Sequence, residues 1–180
     1  SHDLRTVLTR FKLQLALAGN DTDVTDLTRD VDEMQHMLED YMAFARGDSG
    51  EQAAKIDIQD LFEELRADAE RLGHHTEVSF RGHPDVVVKP NAFKRCLSNL
   101  VANAIRFAGN IRISGKRDAD WLTIMVDDDG PGIPEDQRES VFKPFFRLDD
   151  ARNQDVGGTG LGLAIALDIA RTHGGDVKLE

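Results

Sequence analysis

His2, Asp3 and Thr6 at the start of the chain could together carry out nucleophilic chemistry. If this segment is helical, residues four apart lie on one face, so His2 and Thr6 share one patch of surface. Asp3 can accept a hydrogen bond from Nδ1 of the histidine, which leaves Nε2 free as a nucleophile. A solvated histidine near a chain end explains the same residues without any chemistry, so the interpretation depends on what lies downstream.

Two asparagines and an arginine form a second group of candidate residues. Asn99, Asn103 and Arg106 stand at steps of four and three, which places two amides and a guanidinium on one helix face. Amide oxygens can bind a Mg²⁺ ion that keeps most of its waters and is otherwise held by phosphates. Arg106 could meet a phosphate, and Phe107 could pack on a base. Asparagine on an exposed helix face is also ordinary, so this pattern alone is a weak signal.

Two glycine-containing stretches could bring the backbone close to a ligand. The first, Asp127-Asp128-Asp129-Gly130-Pro131-Gly132, follows a predicted strand, and its acids repel one another unless one of them meets an amine donor or a metal. A tight turn is the simpler alternative. The second, Gly157-Gly158-Thr159-Gly160-Leu161-Gly162, opens a predicted helix, where free N–H groups favour phosphate. It lacks the Lys-Ser/Thr pair of a Walker loop, and no strand leads directly into it as in a dinucleotide fingerprint.

The segment that contains His2 predicts a helical hairpin. Its second helix has apolar residues at strict steps of three and four, namely Val24, Leu27, Val31, Met34, Leu38, Tyr41 and Ala45. Two helices with one apolar seam each cannot enclose a core, so we expect a symmetric dimer that closes as a four-helix bundle. Packing of the hairpin on the rest of its own chain is the alternative.

The other candidate residues lie in a segment that predicts an α+β fold, a two-layer sandwich with antiparallel strands. Periodicity and capping signals predict helices over 57–72, 91–107 and 159–173. Strands are predicted over 76–80, 86–88, 110–116 and 121–127, the last two paired across a polar turn, and a further strand begins after Gly174. The expected domains are a hairpin at 1–46, a linker at 47–55 and a sandwich at 56–180.

Composition excludes several classes of function. The 180 residues are 40% hydrophobic and 31% charged, as in a soluble globular protein, and the net charge of −11 argues against a nucleic-acid partner. Cys96 is the only cysteine, so no intrachain disulfide can form. No apolar run approaches the roughly 18 to 20 residues of a membrane span. The histidines lack metal-ligand spacing, so a zinc site is not expected.

In this order, the three downstream stretches resemble the N, G1 and G2 boxes of one ATP-binding domain. That domain is shared by histidine kinases, type II topoisomerases and the ninety-kilodalton heat-shock chaperones. Val141-Phe142-Lys143-Pro144-Phe145-Phe146-Arg147 resembles the F box of the kinases, and Ser1-His2-Asp3-Leu4-Arg5-Thr6 resembles their H box. The whole chain is similar to the transmitter core of a bacterial sensor histidine kinase, nearest to the EnvZ-like osmosensor class.

The resemblance implies a role for each group of residues. His2 would be the phosphoacceptor, Asp3 the acid that orients it, and Thr6 the residue that helps place a water for dephosphorylation of the partner regulator. Asn103 would hold Mg²⁺, and Asp128 would accept a hydrogen bond from the adenine amino group. The other implied contacts to ATP are Asn99, Arg106, Phe107, Gly130, Gly132, Arg147, Gly158, Thr159, Gly160, Leu161 and Gly162.

The resemblance also implies partners and a location. ATP and Mg²⁺ would be the cofactors, a second copy of the chain the dimer partner, and a response-regulator receiver domain the phosphate acceptor. The chain would be a cytoplasmic domain of a protein held in the bacterial inner membrane by a sensor region outside this sequence. A lid over the triphosphate would span roughly 149–157.

Two departures from the family pattern leave other interpretations open. Val7 stands where the family usually has proline, which predicts a straighter first helix and a shifted balance between kinase and phosphatase conformations. The family's domain also continues with further strand after the last residues of this chain. A regulatory scaffold that binds ATP but autophosphorylates poorly is therefore one alternative. An ATPase module of the topoisomerase or chaperone type is another, although His2 and the heptad hairpin argue against it.

Overall fold

The computed structural model describes Val31, Met42, residues 50–148 and residues 160–180. Val31, which the heptad pattern places on the seam, is helical and buried, and Met42 is helical and buried as well. The rest of the predicted hairpin, with His2, Asp3 and Thr6, lies outside the described residues. The dimeric bundle and the domain division therefore stay predictions.

Two small sheets and three helices make up the described part of residues 50–180. In chain order these are β1 (Ala54–Asp57), α1 (Ile58–Arg71), β2 (His75–Arg81), β3 (Asp85–Val88), α2 (Pro90–Phe107), β4 (Asn110–Arg117), β5 (Leu122–Asp128) and α3 (Gly162–Thr172), with short 3₁₀ turns at Glu135–Gln137 and Ser140–Phe142. One sheet pairs β1 with β3, and the other has the order β2-β4-β5. The predicted α+β sandwich is confirmed.

Helix α1 covers the sheet through an apolar face that the 3.6-residue period creates. Asp57 begins it as the N-cap, and its carboxylate accepts a hydrogen bond from the Gln59 amide at 2.8 Å. Phe62 lies fully buried beneath the sheet and meets Phe80 edge-on, with ring centroids 6.1 Å apart. Gly115 on β4 makes room for both rings, because a Cβ there would lie 2.6 Å from Phe80 and 3.0 Å from Phe62.

Helix α2 packs on two neighbours at once. Leu97, Val101 and Ala104 join the core that α1 and the sheets enclose. Ala92 and Cys96 instead join a second buried cluster with α3. The Cys96 thiol points at the carbonyl oxygen of Ala166, 3.4 Å away, and burial raises its pKa to about 11, so this cysteine packs rather than reacts.

The start of α2 is held from outside the helix. The Glu51 carboxylate accepts hydrogen bonds from the amides of Asn91 and Ala92, at 2.7 and 3.0 Å. Desolvation raises the pKa of the Glu51 carboxyl, but these hydrogen bonds outweigh it and leave the pKa below its ordinary value. The Lys89 amide donates to Nε2 of His173 at 3.1 Å, so the end of α3 is tied to the same point.

Four details differ from the sequence-based expectations. No strand forms after Gly174, because the amides of Gly174 and Gly175 instead bond back to Arg171 and Ala170, both at 2.9 Å, as a helix-terminating turn. Strand β2 pairs with β4 in parallel, not antiparallel, and the four-residue strand β1 was not predicted. Helix α3 begins at Gly162, not at residue 159, because Gly160 adopts a left-handed φ of 67°.

The expected β4–β5 hairpin is confirmed, with Ser114 opposite Met125. Among the described helices, none has both the length and the hydropathy that crossing a membrane requires.

Replacing Gly115 by alanine should destabilise the fold by about 1–3 kcal/mol, because the added methyl group overpacks the two phenylalanines. Urea unfolding of the full chain measures this change. Gly109→Ala is the matched control, since a Cβ at Gly109 meets no atom within 4 Å. Equal stability of the two variants would contradict the packing role of Gly115.

Candidate functional site

The asparagine face predicted from the sequence lies along the second half of α2. Asn99 and Asn103 are half-buried, one turn apart, and Arg106 and Phe107 are exposed at the end of the helix. Nδ2 of Asn99 is buried and has no hydrogen-bond partner among the described residues. Because an unpaired buried donor is costly, this amide is suited to a ligand that supplies an acceptor.

The beginning of α3 lies against this face. A Cβ on Gly162 would be 3.6 Å from Oδ1 of Asn99, in ordinary van der Waals contact. The N-terminus of α3, whose free N–H groups favour anions, is therefore next to the unpaired amide. Two of the stretches chosen from the sequence thus meet at one place.

The loop after β5 lies against the end of the same helix. Gly130 packs so closely on Phe107 that a Cβ on the glycine would be 3.1 Å from the Phe107 carbonyl oxygen and 2.7 Å from Oδ1 of Asp128. The Gly130 amide donates to the Asp128 carboxylate at 2.9 Å, which closes a tight turn. Asp128 and Phe107, whose side chain is 42% exposed, therefore stand near one another at the surface.

Asp129 is a structural residue of this site that was missed in the sequence. Its Oδ1 accepts from the amides of Gly109 and Asn110 at 2.8 and 2.9 Å, and its Oδ2 accepts from Nδ2 of Asn110 at 2.6 Å. Hydrogen bonds from the Asn110 amide, the Asn110 side chain and the Gly109 amide hold the pKa of Asp129 below its ordinary value. The hairpin register, which puts Asp128 opposite Ile111, was the available signal, because it brings Asp129 opposite Asn110.

The F-box-like stretch contacts the second glycine stretch. The Phe145 amide donates to the Gly160 carbonyl oxygen at 2.9 Å. A Cβ on Gly160 would lie 2.8 Å from the backbone of Phe145, so only glycine fits there. Phe145 itself has a left-handed φ of 65° and a side chain that is 57% exposed. These two residues join the ends of the segment 146–159, which includes the lid predicted at 149–157.

The remaining predicted residues divide into three groups. Leu161 is fully buried in the cluster that α2 and α3 share. Gly132 has a left-handed φ of 72°, and Arg147 is exposed beside the F-box-like turn. Gly158 and Thr159 lie outside the described residues, as do His2, Asp3 and Thr6.

The asparagine side chains on α2 fit a magnesium ion that is held mainly by water and by phosphate oxygens. Within residues 50–148 and 160–180, no group of three His, Cys, Asp or Glu side chains could hold a metal alone. Asn99 and Asn103 offer amide oxygens, which are hard ligands suited to an ion that is held mostly by waters and phosphates. Mg²⁺ that arrives with a nucleotide is such an ion.

The site extends along the helix. Asn99, beside α3, is eight positions before Phe107, beside the Asp128 loop, which corresponds to about 12 Å of helix axis. One end offers an acceptor and an aromatic side chain, and the other offers amides and a helix N-terminus. The arrangement suits an elongated ligand with a base at one end and anionic groups at the other.

Comparison with known proteins gives matches over the whole chain. The family model described as histidine kinase-, DNA gyrase B- and HSP90-like ATPase matches residues 88–180. The sensor histidine kinase CpxA of Escherichia coli K12 is 34% identical over 192 residues, which cover 100% of this chain and 42% of that protein. The sensor histidine kinase GtrS of Pseudomonas aeruginosa is 36% identical over 181 residues, covering 100% of this chain and 37% of that protein. The chain thus spans less than half the length of these relatives.

Solved structures match the described fold. The crystal structure of the ATP binding domain of PrrB from Mycobacterium tuberculosis has a TM-score of 0.56 and 29% sequence identity. The match covers 72% of this chain and 87% of that one.

Asp129 should make stability depend on pH in acid. Because its folded pKa lies below the ordinary value of 3.8, the unfolded chain binds this proton more readily, so the stabilisation is lost as the pH falls through the folded pKa. The gap in unfolding free energy between wild type and Asp129→Asn should therefore shrink from about pH 5 to about pH 3. Urea unfolding at stepped pH measures the gap.

Asp127→Asn is the control for this experiment, because it removes the same charge two residues earlier, in β5, without touching the hydrogen bonds to Gly109 and Asn110. A constant gap for Asp129→Asn over the whole range would contradict the expected linkage.

Proposed function

The chain belongs to the histidine kinase-, DNA gyrase B- and HSP90-like ATPase family, and we propose that it is the transmitter core of a two-component sensor histidine kinase. Its reaction is ATP-dependent autophosphorylation of His2, followed by phosphotransfer to an aspartate of a response-regulator receiver domain. The same core also acts as a phosphatase toward that regulator. Similarity over the whole of this chain to parts of named sensor histidine kinases supports this choice within the family.

The convergence of three sequence stretches on α2 is the observation that carries the proposal. The Asp128 loop packs on Phe107, and α3 begins beside Asn99. We assign the adenine end of ATP to Asp128 and Phe107, and the phosphate end to Asn99, Asn103 and the start of α3. Arg106, Arg147 and the glycines Gly130, Gly132, Gly158, Gly160 and Gly162 complete the proposed surround, with the Thr159 and Leu161 backbone.

The proposed chemistry is in-line phosphoryl transfer. Nε2 of His2 attacks the γ-phosphorus, an N–P bond forms, and the bond to the β–γ bridging oxygen breaks as ADP leaves. Asp3 accepts a hydrogen bond from Nδ1 and assists removal of the imidazole proton. Positioning of the two reactants contributes most of the rate, because the chain has little other covalent chemistry to perform.

Asn103, with Asn99 close by, is proposed to hold Mg²⁺. The ion, when bound with ATP, supplies positive charge that offsets the charge of the phosphate oxygens. The amide oxygens of α2 orient it, and the half-buried position of both asparagines limits competition by water.

The proposed partners follow from the proposed reaction. The helical hairpin at 1–46 forms a homodimer and presents His2, the segment at 56–180 binds ATP, and the receiver domain docks to accept the phosphoryl group. Thr6 helps to place the water that hydrolyses the aspartyl phosphate of the regulator. The segment is proposed to be cytoplasmic, with a sensor region elsewhere in the full-length protein that holds it at the inner membrane.

Autophosphorylation should depend entirely on His2. Incubation with γ-labelled ATP and Mg²⁺ should give an acid-labile phosphoryl label on the wild-type chain and none on His2→Gln, because glutamine has no nucleophilic nitrogen. His36→Gln is the matched control, since His36 lies beside the seam of the same predicted hairpin and should keep the full label.

The same assay separates the alternatives. ATP binding without label in the wild type would support the regulatory scaffold instead. Phosphate release that survives His2→Gln would support an ATPase module.

Asn103→Ala should reduce the contribution of Mg²⁺ to nucleotide binding. Titration of ADP in Mg²⁺ and in EDTA gives that contribution as a ratio of dissociation constants, and the ratio should fall roughly tenfold in the variant. Asn91→Ala, at the other end of α2, should leave it unchanged. A ratio that does not change in Asn103→Ala would remove this residue from the metal site.

A further inference from the structure

The carboxylate of Asp129 ties the loop after β5 to the residues that follow α2. It accepts from the amides of Gly109 and Asn110 and from the Asn110 side chain, at 2.8, 2.9 and 2.6 Å. The Asp129 amide adds a return bond to the Asn110 carbonyl oxygen at 3.3 Å. One residue of the loop is thus fixed at four points to the segment that leaves Phe107.

The side chain of Asp128, the residue before Asp129, has much weaker anchorage. Among the described residues, its carboxylate accepts a hydrogen bond only from the Gly130 amide, two residues ahead in the same turn. Its side chain is exposed, and only its backbone is held by the sheet, as the last β5 residue, opposite Ile111. Because the β4–β5 ladder ends at Asp128, the direction of its carboxylate relative to Phe107 depends on how Asp129 and Gly130 continue the chain.

Folding alone does not account for this set of bonds. Gly109 and Asn110 are exposed, so water could satisfy the same amides, and the net stabilisation from such bonds is small. A carboxylate near the C-terminus of a helix also meets the negative end of its dipole. Unlike water, the three hydrogen bonds to the Asp129 carboxylate fix the orientation of the loop relative to the end of α2.

We propose that Asp129 is a positioning residue for base recognition: it holds the Asp128 carboxylate where that carboxylate can accept a hydrogen bond from the amino group of adenine. The inference rests on the proposed function, in which Asp128 is the adenine acceptor. Under this inference, two adjacent acids determine the preference for a 6-amino purine over a 6-oxo purine. Asp128 contacts the base, and Asp129 orients Asp128.

Paired titrations with ADP and IDP test this assignment, because the two nucleotides differ at the 6-position of the purine, where one has an amino group and the other an oxygen. The full wild-type chain should bind ADP more tightly. In Asp129→Ala this preference should fall about tenfold through loss of ADP affinity, while IDP affinity stays the same. Asp129→Asn should keep most of the preference, because its amide oxygen can still accept from both backbone amides.

Asp127→Ala is the matched control. It removes an acid two residues before Asp129, in β5, and its side chain lies on the exposed sheet face opposite Arg112, away from Gly109 and Asn110. Its preference for ADP should equal that of the wild type. Asn110→Ala removes only the side-chain donor and provides a second variant if Asp129→Ala does not fold; it should reduce the preference about threefold.

The outcomes separate the inference from the proposed function. An equal loss of ADP and IDP affinity in Asp129→Ala would overturn the inference, since it would show a loosened fold and no effect on base recognition. An unchanged preference in Asp129→Ala and Asn110→Ala would also overturn it, while the proposed function stands. Absence of any ADP preference in the wild type would overturn the role of Asp128 and the inference together.

Discussion

The rest of this structure depends on one helix, α2, which packs against three neighbours at once: the core under the sheets, α3 and the loop after β5. Helix α2 buries one side in the core under the sheets and another against α3, so only one strip of its surface is left for a ligand. Its start is held by Glu51 and by His173, and its end is held by Asp129. Because both ends are fixed, the amides of Asn99 and Asn103 have a stable frame against which α3 and the Asp128 loop can be placed.

The glycines of the two candidate binding stretches have a structural reason for being glycine that needs no nucleotide. Gly130 lies against the Phe107 carbonyl, and Gly160 lies against the backbone of Phe145. At Gly160 a Cβ would collide with that backbone, so only glycine fits, and at Gly130 a Cβ would be tight against the Phe107 carbonyl oxygen, at 3.1 Å. Glycines in such stretches are usually explained by the close approach of the backbone to phosphate. In this chain they also allow stretches that are distant in sequence to pack against one another.

Local patterns predicted much of this fold, and the parts they missed depend on distant pairing. The periodicity of α1 and α2 and the turn between β4 and β5 are local signals, and the order of the boxes predicted the family, which the matching family model confirms. The parallel pairing of β2 with β4 is not encoded in either strand alone, and β1 is four residues long. The role of Asp129 was hidden because three adjacent acids look alike until the hairpin register assigns one of them to Asn110. The predicted strand after Gly174 was wrong because the amides of Gly174 and Gly175 bond back to α3 in a helix-terminating turn.

The carboxylate of Glu51 has a consequence for how two reactants meet. It pins the chain to α2 five residues after position 46, where the predicted hairpin ends, and five residues span at most about 17 Å. Under the proposed function, this short tether would keep the phosphoacceptor and the nucleotide at a high effective concentration of one another. The rate at which the histidine meets ATP would then depend on the length of this tether and not on the concentration of the protein.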